Sequence, residues 1–342
     1  MHYHLKHKYL TNFTGEFHNS RLEFYFVNTE LKRTTFAEDV KDGLTLANKF
    51  LLPKYFYDNR GSDLFEKICS TDEYYVTRTE AGILQNFSDE IACVNEDKEL
   101  VVELGSGSSI KTEYIIEAFL RSRRHLVYAP IDVSYMAVQT ANRLIQDYNE
   151  LRISGIIGEY ESGLELSSYL YDCHRLIIFL GSSIGNFDFD QAKQFVSFIG
   201  SKMGKIDSLL IGFDMRKDID ILEAAYNDSA GYTAEFNLNL LRRINDELGG
   251  NFDTNKFEHL SFFNEEESRI EMHIVSRTDQ EVNIDAITST IKFRKGERIH
   301  TENSYKFTDE MIYELADYAG LQVTKCWQDK RKYFSLCLFN IS

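Results

Sequence analysis

The segment Val101-Val102-Glu103-Leu104-Gly105-Ser106-Gly107-Ser108-Ser109 carries the sharpest chemical signal in the chain. An apolar strand running into a Gly-x-Gly turn and then a helix presents free backbone N–H groups to a ligand, because glycine tolerates positive φ and has no Cβ in the way. A dinucleotide turn needs a third glycine three places after the second. Ile110 stands there, which disfavours a nicotinamide oxidoreductase. Asp132 ends the next apolar run, where a carboxylate can accept from both hydroxyls of a ribose. Taken singly these are bland features: any strand-to-helix turn can carry Gly-x-Gly, and an acid after a strand is commonly a helix N-cap. Their order, one strand–helix unit apart, favours the ligand reading.

The elements that must position them read as alternating strands and helices. Leu100–Leu104, Leu126–Ile131, Ile153–Ile157, Arg175–Leu180 and Ser208–Phe213 are apolar strand candidates. Helical spacing covers Lys111–Ser122, Tyr135–Tyr148 and Asp190–Gly200. This alternation predicts an α/β fold, a parallel sheet with helices on both faces. After Asp214 the pattern changes. Asp218–Leu248 reads as mostly helical, then Ser268–Arg277 and Val282–Phe293 alternate as half-exposed strands do. In Arg269–Val275, Ile270, Met272 and Ile274 fall on one face, Glu271 and His273 on the other. This predicts an inserted α+β domain. A helix at Asp309–Ala319 and strands near Leu321–Trp327 and Tyr333–Phe339 then close the first sheet with an antiparallel hairpin.

At 342 residues the chain suits about two domains, and 43% hydrophobic residues suffice for a sizeable core. A net charge of −16 argues against nucleic acid or an anionic membrane as the main partner; the basic run Arg121–Arg124 reads as a solvated helix end. The cysteines Cys69, Cys93, Cys173, Cys326 and Cys337 show neither metal-ligand spacing nor a disulfide framework. The simplest setting is therefore a reducing cytoplasm. No apolar run approaches a membrane span, and Met1–Leu10 lacks the apolar stretch of a signal peptide. His2, His4 and His7 read as a frayed tail. No metal is expected.

An acid leading a Gly-x-Gly turn resembles motif I of class I S-adenosylmethionine-dependent methyltransferases, whose loop holds the amino-acid end of that cofactor. More specifically, the chain resembles the histidine Nα-methyltransferases of ergothioneine biosynthesis, from about Leu51 to Phe339. The resemblance rests on short blocks in a joint order. They are Lys54-Tyr55-Phe56-Tyr57-Asp58 with Gly61-Ser62-Asp63-Leu64-Phe65, Glu73-Tyr74-Tyr75 with Thr77-Arg78-Thr79-Glu80, and Glu103–Gly107. Further along stand Phe179–Asn186, Phe257-Glu258-His259, Arg269–Met272, and Thr301-Glu302 through Lys306-Phe307.

The resemblance implies a Rossmann-like methyltransferase core with an inserted α+β substrate-binding domain. In this chain those would be residues 80–213 with 306–342, and 20–79 with 214–305. It implies S-adenosylmethionine as cofactor, at Tyr74, Gly105, Lys111, Asp132, Glu159, Tyr160 and Gly181. It implies L-histidine as substrate, with Tyr74 and Asn186 at the reacting amine. Tyr57, Glu302 and Ser304 would face the imidazole, Met272 and Phe65 shape the pocket, and Tyr226 with Phe236 fix the carboxylate and close the cavity. The expected product is the trimethylated betaine, hercynine, and the expected assembly a monomer. Without the resemblance, Met272 would read as core, Glu302 as an exposed strand residue, Tyr57 and Tyr74 as packing, and Asn186 as a turn former. Departures from the family pattern are Glu159 for Asp, and Asp72 and Val76 where prolines are frequent; they put the adenine contact and the rigidity of the Tyr74 loop in doubt. Competing readings are an Nα-methyltransferase for tryptophan or another amino acid, and a non-catalytic S-adenosylmethionine-binding module. Retention of Met272 with Glu302 favours histidine.

Overall fold

The computed structural model describes residues 13–27, 34–107, 109–123, 125–134 and 136–342. The strands are β1 (Phe13–Asn19), β2 (Leu22–Val27), β3 (Lys49–Phe50), β4 (Leu100–Leu104), β5 (Leu126–Asp132), β6 (Leu151–Ile157), β7 (Arg175–Phe179), β8 (Ser208–Asp214), β9 (Phe257–Asn264), β10 (Arg269–Ser276), β11 (Gln280–Ile284), β12 (Ser289–Phe293), β13 (Arg298–Tyr305), β14 (Leu321–Gln328) and β15 (Phe334–Ile341). The α-helices are α1 (Phe36–Thr45), α2 (Asn59–Cys69), α3 (Val76–Val94), α4 (Thr112–Ser122), α5 (Met136–Asp147), α6 (Tyr160–Leu170), α7 (Phe189–Lys202), α8 (Ile219–Tyr226), α9 (Tyr232–Leu248) and α10 (Asp309–Tyr318).

The large sheet runs β1-β2-β6-β5-β4-β7-β8-β15-β14. From β2 to β8 neighbours are parallel, and β15 is antiparallel to both β8 and β14. Alternating side chains feed two cores. Val101 of β4 and Tyr128 of β5 pack with α3, α4 and α5 residues such as Ile83, Ile116 and Leu144. Val102 and Ala129 pack on the other face with Leu164, Val196 and Leu315 of α6, α7 and α10. Each fully buried aliphatic side chain contributes about 1.5–3 kcal/mol, so these two layers hold the sheet. The chain order reverses at β4, with β5 on one side and β7 on the other. Ligands bind outside the carboxyl ends of strands at such a point. This is the class I methyltransferase architecture, closed by the expected antiparallel hairpin.

A second sheet, β3-β13-β10-β9, comes from the predicted insertion and the N-terminal region. Ile270 and Met272 on β10 lie directly opposite Ser304 and Glu302 on β13. The register then slips, so that His273 faces His300 and Ile274 faces Ile299. Thr301 is the extra residue of this bulge; it is buried and donates to Asn237 Oδ1 (2.8 Å) and to the Met272 carbonyl (3.0 Å). A bulge changes which face later residues occupy. Here it puts Glu302 and Ser304 on the same inward face as Ile299.

Several expectations are corrected. Residues 22–27, grouped by sequence with the insertion, pair instead with β6 and extend the large sheet. The stretch Asp218–Leu248 is mostly helical, as expected, in two helices: the Asp228 carboxylate accepts from the Tyr232 and Thr233 amides (2.8 and 2.7 Å) and restarts the chain as α9. Val282–Phe293 splits into the separate ribbon β11–β12. Cys326 and Cys337 form a disulfide across directly paired strands, a pairing that sequence spacing does not reveal. Tyr135, Arg124, Ser108 and the N-terminal histidines lie outside the described residues.

Candidate active site

The cofactor side is built on the ends of β4, β5 and β7. Gly105 (φ +73°), Gly107 (φ +48°) and Gly181 (φ +78°) all hold left-handed backbone, where a Cβ is strained. A Cβ on Gly105 would sit 2.9 Å from the Tyr160 hydroxyl, whereas at Gly107 the space is open. Asp132 closes the loop on itself: its carboxylate accepts from the Gly107 amide (2.9 Å) and from the Ser134 amide (2.8 Å). Glu159 is the exposed N-cap of α6, and Tyr160, its first residue, packs edge-on to Phe179 (5.5 Å between centroids). These groups fit S-adenosylmethionine: a turn whose glycines carry no Cβ, a carboxylate at the end of the adjoining strand, and an aromatic side chain beside them.

Lys111 stands at the N-terminal cap of α4 and ion-pairs with Glu80. Glu80, fully buried on α3, accepts the Gly181 amide with both oxygens (2.8 and 2.9 Å). Glu103, the acid of the glycine motif, does not face the cleft. It is buried, accepting from Thr112 Oγ1 (2.5 Å) and from the Tyr128 hydroxyl. Burial pushes its carboxyl up to about 7, against these bonds.

The substrate side gathers five rings from separate elements. Tyr57 meets Phe65 and Phe236 edge-on (5.6 and 5.7 Å), Phe65 meets Tyr74 (6.0 Å), and Tyr74 meets Tyr226 (6.3 Å). Phe236 stacks on Phe56 at 4.5 Å. Tyr57 is the open edge, 47% exposed, whereas Tyr74, Tyr226 and Phe236 are buried. Burial holds the Tyr74 phenol well above its usual range, so it stays neutral. His259 fixes Tyr226 from behind: its Nε2 lies 2.9 Å from the Tyr226 carbonyl and its Nδ1 2.9 Å from Asn237 Nδ2.

Glu302 faces these rings, and its charge helps hold up the phenols of Tyr57, Tyr74 and Tyr226. Desolvation pushes its carboxyl up to about 7, against the nearby Lys306 charge. Among the described residues it makes no hydrogen bond, which leaves both oxygens for a ligand. Ser304 accepts from Tyr226 (2.7 Å) and from Lys306 Nζ (2.8 Å).

One segment joins the two sides. Gly181 is held by Glu80; Ser182 Oγ accepts from the Asp214 amide (2.9 Å); Gly185 packs against the Tyr305 backbone on β13. Asn186 ends this turn and is exposed. The structure thus joins Tyr57, Phe65, Tyr74, Tyr226 and Phe236 in one chain of ring contacts, ties Ser304 to it through Tyr226, and places buried Met272 opposite Glu302 on the adjoining strand; Gly105 meets Tyr160, and Gly181 meets Lys111, at the ends of the neighbouring strands. Among the described residues no cluster of three His, Cys, Asp or Glu side chains could hold a metal.

Residues 36–341 match the family model described as histidine-specific, S-adenosylmethionine-dependent methyltransferase. The chain belongs to that family. It is 41% identical over 302 residues to a histidine N-alpha-methyltransferase of Mycolicibacterium smegmatis, covering 88% of this chain and 93% of that one. A second, from Mycobacterium tuberculosis, is 39% identical with the same coverage. Ergothioneine biosynthesis protein 1 of Schizosaccharomyces pombe is 30% identical over 77% of this chain and 35% of its own.

Sequence reasoning did not single out Glu80, Asp214, Lys217 or Lys306 of this methyltransferase. Glu80 was findable: it sits in the buried stripe Val76, Thr79, Ile83 and Leu84 of α3, where an unpaired acid is costly. Lys306 stood in a family block without a role, and Asp214 and Lys217 gave no local signal. Asp214 is buried and accepts from Tyr75 (2.8 and 2.9 Å), Lys217 (2.5 Å) and Lys306 (2.8 Å). Burial alone would raise its carboxyl, but Lys306 and Lys217 hold it below the usual range.

Proposed function

We propose that this methyltransferase transfers methyl groups from S-adenosylmethionine to the α-amino nitrogen of free L-histidine. The product is Nα,Nα,Nα-trimethylhistidine (hercynine), the first step of ergothioneine biosynthesis. The observation that carries this reading is Glu302 with Ser304 and Met272 on one inward sheet face, joined through the Ser304–Tyr226 hydrogen bond to a cluster of five aromatic rings. An apolar slot ending in a bare carboxylate and a hydroxyl matches an imidazole, a flat ring with one N–H and one lone pair. A site built to hydrogen-bond a ring rejects apolar side chains strongly, because its polar groups would be left unpaired. The relatives named for histidine methylation support the same substrate.

The large sheet with its helices acts as the cofactor domain, and β3, β9, β10 and β13 with α2, α8 and α9 as the substrate domain. Gly105, Lys111, Asp132, Glu159, Tyr160 and Gly181 would hold S-adenosylmethionine, which supplies the electrophilic sulfonium methyl. Tyr74 and Asn186 orient the amine. Both accept a hydrogen bond without adding negative charge, so neither favours the protonated, unreactive ammonium. Glu302 holds its charge at the ring end instead. Tyr226, expected from the resemblance to fix the substrate carboxylate, gives its one proton to Ser304 and instead closes the cavity, while Tyr57, Phe65 and Phe236 exclude water around it. Orientation of this kind is worth up to about 7–11 kcal/mol.

The test is mass spectrometry of the protein incubated with S-adenosylmethionine and all twenty free amino acids. Histidine should gain three methyl groups. A methylated tryptophan with untouched histidine refutes the roles of Glu302 and Met272.

A further inference from the structure

Behind the pocket lies a lysine with no route to solvent. Lys306 is 0% exposed and donates to Asp214 Oδ2 (2.8 Å), Ser304 Oγ (2.8 Å) and the Tyr226 hydroxyl (3.0 Å). An ammonium has three protons, and all three are committed. The Tyr226 hydroxyl, already an acceptor from Lys306, gives its own proton to Ser304 at 2.7 Å. That direction follows from chemistry: a phenol is a better donor and a poorer acceptor than an alkyl hydroxyl. Ser304 Oγ therefore receives two protons, one on each lone pair. Its own hydrogen has no acceptor among the described residues and remains for the side shared with Glu302.

We propose that Lys306 is a positioning residue that fixes the Ser304 hydroxyl as a hydrogen-bond donor toward the substrate ring. The proposal rests on the reading of the pocket as a histidine site. Glu302 then accepts the ring N–H, Ser304 donates to the other nitrogen, and the pocket takes the neutral imidazole in one tautomer. Lys306 touches no reacting atom; it acts through Ser304 and Tyr226. Asp214 holds Lys306 in place, and Lys217 and Tyr75 hold Asp214.

The experiment uses calorimetry at pH 8 on the full chain saturated with S-adenosylhomocysteine. Histidine is compared with 3-(pyrrol-2-yl)alanine and 3-(pyrrol-3-yl)alanine, which keep one ring N–H but replace the acceptor nitrogen with C–H. The readout is the affinity ratio within each protein, which a general loss of stability does not move. The unaltered protein should prefer histidine over the better pyrrole by roughly tenfold or more, since the pyrrole leaves the Ser304 hydrogen unpaired. Ser304→Ala should lower that ratio to about threefold or less. Lys306→Met should do the same, because the Tyr226 oxygen is then free to take the Ser304 hydrogen. If Lys306→Met fails to fold with Asp214 uncovered, the charge-balanced pair Lys306→Met with Asp214→Asn reads the same ratio. A wild-type ratio near one, or a lysine variant that keeps the full ratio while Ser304→Ala loses it, overturns the proposal. No histidine binding by the unaltered protein removes the substrate reading itself, and this assignment with it.

Discussion

Replacing Glu302 with Gln tests the pocket at the point where shape and charge can be separated. The amide keeps the size and one acceptor oxygen but removes the charge. A hydrogen bond to an ionised group contributes about 1.5–3 kcal/mol, against about 0.5–1.5 for a neutral one. The difference, about 1–1.5 kcal/mol, corresponds to roughly 5- to 12-fold in affinity. The gap depends on pH in a defined direction. Desolvation holds the Glu302 carboxyl up at about 7, so the group is neutral at pH 6 and ionised at pH 8. The ratio of wild-type to Glu302→Gln affinity for histidine should therefore approach one near pH 6 and open between pH 7 and 8. The part of the curve above pH 7, where the free histidine ring is largely neutral, carries the test. Calorimetry with S-adenosylhomocysteine present, from pH 6 to 8.5, measures it. A flat ratio, or an equal loss of S-adenosylhomocysteine affinity, would falsify the assignment of Glu302 to the ring. Glu302→Ala removes the whole interaction and should weaken histidine binding by roughly 10- to 150-fold, with cofactor affinity kept.

Three further outcomes are expected. Asn186→Ala should slow methyl transfer about tenfold or more while unfolding stays within about 0.5 kcal/mol of wild type, as for an exposed side chain; unchanged turnover removes Asn186 from the amine. Glu80→Gln takes the charge from the partner of Lys111 and Gly181, so S-adenosylhomocysteine should bind about tenfold more weakly, and equal binding by fluorescence titration refutes that link. Glu103 is raised from 4.5 to about 7 by burial, so the folded state keeps a proton that the unfolded chain loses, and stability falls as pH rises through that window. Glu103→Gln should erase this slope in denaturant unfolding between pH 4.5 and 7, a difference of up to about 3 kcal/mol at pH 8; parallel curves for the two proteins would refute it.

The sequence by itself determined the layered sheet, the ligand turn and the closing hairpin, since each is encoded in local periodicity. Apolar runs five to seven residues long became β4, β5, β7 and β8, and the glycines between β4 and α4 took the left-handed conformations their type permits. The family blocks also carried Tyr57, Phe65 and Tyr74, though as names rather than contacts, while Tyr226 and Phe236 lay outside every block. What local pattern could not supply was parity, pairing and charge balance. Simple alternation from Ile299 would turn Glu302 and Ser304 outward; the bulge at Thr301, secured by Asn237 on another element, turns them in. Residues 22–27 joined the large sheet because β6 offered a parallel edge, which no local signal announces. Lys306 could stay buried only because Asp214, 92 residues earlier, meets it at 2.8 Å. A charge hidden from water needs its partner at contact distance, and only the folded chain brings those two residues together.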